Sequence, residues 1–100
     1  MKPKDWPLDI LGKRFSVVWR QPAGGKDFGQ CDSTKCQIHV DPGCHRDQQR
    51  DTLIHEAMHA IDHELDTGMR ERQIRLMATG WYHFMRANPE VIKWLMDPEG

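Results

Sequence analysis

Three cysteines, a net charge of −1 and the lack of any long apolar run say first what this sequence is not. An odd thiol count fits free cysteines in a reducing cytosol better than a disulfide framework. The balanced charge lacks the basic surplus of a nucleic-acid binder and gives no electrostatic hold on a membrane. No apolar stretch approaches the ~20 residues of a membrane span, and the first residues show no apolar core of a secretory signal. Internal repeats and low-complexity stretches are absent too. These shortages point to a cytoplasmic protein with neither a nucleic-acid nor a membrane partner.

At 100 residues the chain makes one domain, 1–100, with no room for a second core. A domain this small buries only about 60–70% of its unfolded surface, so a bound metal would be a useful brace. The pattern divides it into an N-terminal arm (1–13), a small sheet (14–45) and a helical part (46–96). The arm mixes Pro3, Pro7 and Gly12 with Trp6, Leu8, Ile10 and Leu11. It reads as an apolar-anchored extended piece or a short helical turn from Pro7 to Leu11.

Phe15, Val17 and Trp19 alternate between Arg14 and Arg20, which predicts a strand. Residues 21–27 are a turn, Phe28–Asp32 a second short strand, and Ser33-Thr34-Lys35 a hairpin bend. Gln37–Asp41 alternates again, and Pro42-Gly43 stops it. The fold class expected is α+β: a small antiparallel sheet of about three strands, then helices.

The first helix starts near Arg46–Gln48 and runs to about Leu65, with Ile54, Ala57, Met58, Ile61 and Leu65 as its apolar stripe. Asp66-Thr67-Gly68 breaks it, Gly68 taking a left-handed cap and Thr67 capping the next helix. That helix spans about Met69–Ala87 with Ile74, Met77, Ala78, Trp81 and Met85 inward. Pro89 opens a short last helix.

The first helix carries His55-Glu56-Ala57-Met58-His59. Residues four apart on a helix lie about 40° apart around the axis and roughly 6 Å along it, so both imidazoles project side by side and can share one metal ion. Glu56, about 100° round from His55, stays free to handle a proton. This is the His-Glu-x-x-His spacing of zinc peptidases.

A catalytic zinc takes three protein ligands, so a third is needed. His63 continues the spacing but lies about 12 Å along the helix from His55, too far to converge on one ion. His83 falls opposite its own apolar stripe and should face solvent. Asp66 lies in the break and could reach, though a turn role suits it better. Glu71 sits on the inward side of the second helix, where a carboxylate needs a partner or a metal. An i,i+4 pair with Arg75, or a first-turn acid favoured by the helix dipole, would also account for it. Asp62, one turn from His59, is a candidate to orient that ring, with a surface salt bridge as an equal alternative.

Cys31, Cys36, Cys44 and His45 offer a competing Cys₃His site, but without the tight knuckle spacing that such sites show, so plain thiols on strands and turns are expected. The four tryptophans read as core or core rim, and the methionines as gap fillers.

The stretch Thr52 to Asp62, with Glu71-Arg72-Gln73-Ile74 and Ala78-Thr79-Gly80-Trp81-Tyr82 to Asn88-Pro89, resembles small phage- and prophage-encoded zincin-like metallopeptidases. It is more distantly similar to the ImmA/IrrE type of peptidase. Gly29-Gln30-Cys31-Asp32 and Ile38-His39-Val40 fit the strand segment placed before the helix in such proteins. The interval before Glu71 is short, and the accessory domains of larger members are missing. The resemblance implies zinc on His55, His59 and Glu71, with Glu56 as the catalytic general base. The expected activity is that of an endopeptidase acting on a host or phage protein, with the chain a monomer; the architecture would let a substrate strand pair with the edge of the small sheet. Tyr82, His63 and His39 are the candidates to steady the carbonyl oxygen. A metal that serves only to stabilise an interaction module is the alternative.

Overall fold

A computed structural model describes residues 5–22, 24–25 and 27–99 of the chain. Pro3 of the expected arm lies outside the described residues. The architecture is α+β, with a four-stranded mixed sheet and three helices, so the expectation of about three antiparallel strands is corrected on both counts. The strands are β1 (Trp6–Ile10), β2 (Lys13–Trp19), β3 (Gly29–Asp32) and β4 (Gln37–Val40). They lie in the order β1-β2-β4-β3.

The expected arm is itself a strand. Leu11 (φ 53°) and Gly12 (φ 84°) both take left-handed backbone, the geometry of a two-residue hairpin whose twist suits the strands it joins. Asp9 Oδ1 accepts from the Gly12 amide at 2.7 Å, and Ile10 pairs with Lys13. Pro7 is tolerated because β1 is an edge strand. Trp6 meets Trp19 edge-on with centroids 5.5 Å apart.

β3 and β4 form a second hairpin, closed at Asp32↔Gln37. The chain between β2 and β3 returns so that β4 slots between them, running parallel to β2 from Ser16↔Gln37 to Trp19↔Val40. This leaves β3 as the other edge.

The helices are α1 (Arg46–Leu65), α2 (Glu71–Ala87) and α3 (Pro89–Met96). None is long and apolar enough to cross a membrane. His45 Nδ1 caps α1 by accepting from the Asp47 amide. The α1 stripe differs from the expected one. Ile61 and Leu65 are exposed, whereas Thr52, Glu56 and Ala60 are buried. Small side chains let α1 settle closely onto the sheet, over a core of Ile10, Phe15, Val17, Ile38, Val40 and Ala60.

In the α1–α2 break, Asp66 rather than Gly68 makes the left-handed cap, at φ 52°. Thr67 does not cap α2. Its hydroxyl donates back to Asp62, whose carboxylate also accepts from the Met69 amide at 3.2 Å. α2 starts at Glu71, two residues later than expected, with Gln73 Oε1 accepting from the Arg70 amide at 2.8 Å. It then folds back along α1. Ile74 and Ala78 are buried, but Met77 and Trp81 of the expected stripe stay largely exposed. Among the described residues, α2 touches the elements α1 and α3 and never the sheet.

Candidate metal centre

Helical spacing brings the two imidazoles of α1 together as the sequence implied. Nε2 of His55 and Nε2 of His59 are 3.2 Å apart, with ring centroids at 4.9 Å. Glu71, first residue of α2, closes the third side. Its Oε1 lies 2.8 Å from His55 Nε2 and its Oε2 lies 2.6 Å from His59 Nε2. All the candidate donor atoms fall within 4.8 Å of one another. Two nitrogens bound tetrahedrally at about 2.0 Å would stand roughly 3.3 Å apart. The donor set therefore fits a small divalent cation that accepts nitrogen and oxygen.

The reason given by sequence for Glu71 does not hold. Its side chain is 61% exposed, not buried. Asp62, clamped by Thr67 and Met69, holds α1 to the inter-helix turn, and the α1–α2 antiparallel fold-back then presents Glu71 to the histidines. The Asp62 carboxylate accepts from the Thr67 hydroxyl and from the Met69 and Gly68 amides, and the nearby His59 helps hold its pKa down.

Glu56 is the buried carboxylate, on the sheet side of α1. Burial pushes its pKa up to about 7; the neighbouring His59 opposes the rise, while the charges of Glu71 and Asp27 add to it. Its Oε2 stands 3.8 Å from His55 Nδ1. Room for it comes from Gly29 on β3, where a β-carbon would lie 3.2 Å from Glu56 Cγ and 2.9 Å from the His39 carbonyl oxygen. An isolated glycine in a strand is the one sequence signal of such a close approach.

The cluster opens onto a cleft of about 1180 Å³. That is room for a stretch of polypeptide, beyond what an ion needs. One wall is β3 with the residues around it, from Asp27 to Ser33; the floor is α1, and the far wall is α2 with Glu71, Arg75 and Thr79. His63 and Asp66 also line the cleft but stay outside the donor cluster. His83 is exposed on α2. Of the three candidates for steadying a carbonyl oxygen, only His63 lines the cleft. Tyr82 is held by Asp47 at 3.0 Å, and His39 by Gln37 at 3.1 Å.

The cysteines do not assemble with His45. Among the described residues, His55, His59 and Glu71 form the only cluster able to hold a metal. Cys31 and Cys36 both sit by Ser33, with sulfur–oxygen distances of 3.9 and 3.6 Å. Burial pushes the Cys31 thiol up. Compared with known proteins, the chain matches no protein-family model, no curated protein and no solved structure.

Proposed function

We propose that the chain is a zinc-dependent endopeptidase of the reducing cytosol that cuts a host or phage protein. The observation that supports it best is the convergence of His55, His59 and Glu71 beside a buried Glu56 in a peptide-sized cleft. Zinc held by those three side chains would supply Lewis acidity toward water and a peptide carbonyl. Glu56 is the proton carrier. Its carboxylate takes a proton from the attacking water and hands it to the leaving amine. β3, an edge strand on the cleft wall, offers its free backbone side to an extended substrate. His63 is the side chain left to steady the carbonyl oxygen.

A second reading, a metal that only stabilises the fold, draws support from Glu71 being a cross-link between α1 and α2. Glu56 separates the two, because metal binding alone does not require it. The test measures zinc content and cleavage of casein or host lysate for wild type, Glu56→Gln and His59→Ala. Loss of cleavage with zinc retained in Glu56→Gln is the expected result. Cleavage that survives this substitution would falsify the general-base role, and stoichiometric zinc without cleavage in wild type would favour the stabilising metal.

A further inference from the structure

α2 turns Glu71, Arg75 and Thr79 toward the cleft, one row at helical i, i+4, i+8 spacing. The first and last of these commit to α1. Glu71 lies against the histidines at 2.6 and 2.8 Å, and the Thr79 hydroxyl donates to Asp51 at 3.1 Å. Arg75, between them, makes no hydrogen bond and no ion pair among the described residues. On a lone helix it would pair with Glu71, but that carboxylate is already held across the helix seam. Arg75 is exposed, and among the described residues that line the cleft it is the only arginine or lysine. It is set among the carboxyls of Asp27, Asp51, Glu56, Asp62, Asp66 and Glu71, so a carboxylate entering the cleft has this one fixed cation to meet. An unengaged guanidinium offers a planar fork of donors that matches a carboxylate with two parallel hydrogen bonds.

We propose that Arg75 selects peptides carrying a carboxylate next to the bond to be cut. This inference rests on the peptidase reading and names its substrate class. A strand lying along β3 turns alternate side chains toward the opposite wall, and on that wall Arg75 sits one helical turn beyond the metal-facing Glu71. The carboxylate belongs either to an aspartate or glutamate side chain or to the chain end.

The test titrates zinc-loaded wild type and Arg75→Gln calorimetrically with three short peptide hydroxamates. One carries glutamate and one glutamine, both with amidated ends; the third carries glutamine with a free carboxyl end. Zinc content is measured on every sample. The expected result is that the glutamate or the free-acid probe binds wild type about tenfold more tightly than the neutral one. Whichever does so identifies the source of the carboxylate, and Arg75→Gln loses the margin while keeping its zinc. Charged and neutral probes that bind zinc-loaded wild type equally, or a margin that survives in Arg75→Gln, overturn the role of Arg75 without touching the peptidase reading. A wild type that takes up no zinc overturns both.

Discussion

A β-carbon on Gly29 would run into the Cγ2 methyl of Thr52, one turn of α1 before Glu56. The same atom would crowd the His39 carbonyl oxygen at 2.9 Å. The bare backbone of Gly29 is what lets α1 sit low enough to carry Glu56 into the cleft. Gly29→Ala should cost about 1–3 kcal/mol of stability through overpacking, read as a lower Tm in a thermal melt. Thr52→Ser, which lacks the methyl, should recover part of that loss when combined with Gly29→Ala. Full recovery is not expected, because the His39 oxygen remains. A melt unchanged by Gly29→Ala would mean that helix and strand sit further apart than described.

Zinc affinity should report the three donors and no others. Glu71→Ala is expected to weaken binding on the order of 100-fold or more, beyond the usual effect of residues that merely support ligands. His63→Ala and Asp66→Ala should leave affinity as it is, since both line the cleft without joining the cluster. Competition titrations with a chromogenic chelator measure this. A loss in His63→Ala as large as that in Glu71→Ala would reassign the third ligand.

Acid should loosen the helix seam through two carboxylates. The Tyr82 hydroxyl, and beyond it the Arg86 charge, hold the Asp47 carboxyl below its ordinary range. Thr67 and the Met69 amide do the same for Asp62. A carboxyl depressed in the fold adds stability above its unfolded pKa of about 3.9, and that stability fades as pH falls through the lower folded value. Tm should therefore drop below about pH 4. Asp62→Asn and Tyr82→Phe should each flatten that acid slope while lowering Tm at neutral pH. Identical slopes in all three proteins would show that neither clamp is linked to folding.

The part of the site written in sequence is the part that helix geometry fixes. His55 and His59 face one another because four residues overshoot a full turn by only about 40°, and the fold-back over Asp66 brings Glu71 to them. The inference of a buried Glu71 failed because α2 has no sheet beneath it, so its polar flank faces solvent. The stripe of α1 misled for a related reason. Its larger apolar residues, Ile61 and Leu65, stay exposed, while the sheet takes Thr52, Glu56 and Ala60. A buried carboxylate breaks the hydrophobic pattern, and such breaks concentrate where a protein works. The strand order was illegible. Parallel pairing of β2 with β4 depends on the path of the chain between them, which leaves no local signature, and Pro7 disguised β1.

Among the described residues α2 meets only α1 and α3, so the backbone can open along one line, the α1–α2 seam, without disturbing the sheet. Such a layout predicts two cooperative units with different opening free energies. In hydrogen exchange, amides of β2, β4 and α1 should be the slowest, and those of α2 and α3 should exchange earlier as one group. Because Glu71 belongs to the late-closing unit and the histidines to the early one, a cation on all three binds only the closed form. Raising free zinc should then raise the opening free energy of α2 and α3 by RT ln(1 + [L]/Kd), and that of sheet amides exchanging through global unfolding by the same amount, because both openings take the site apart. The same ion would set how long the cleft keeps its second wall.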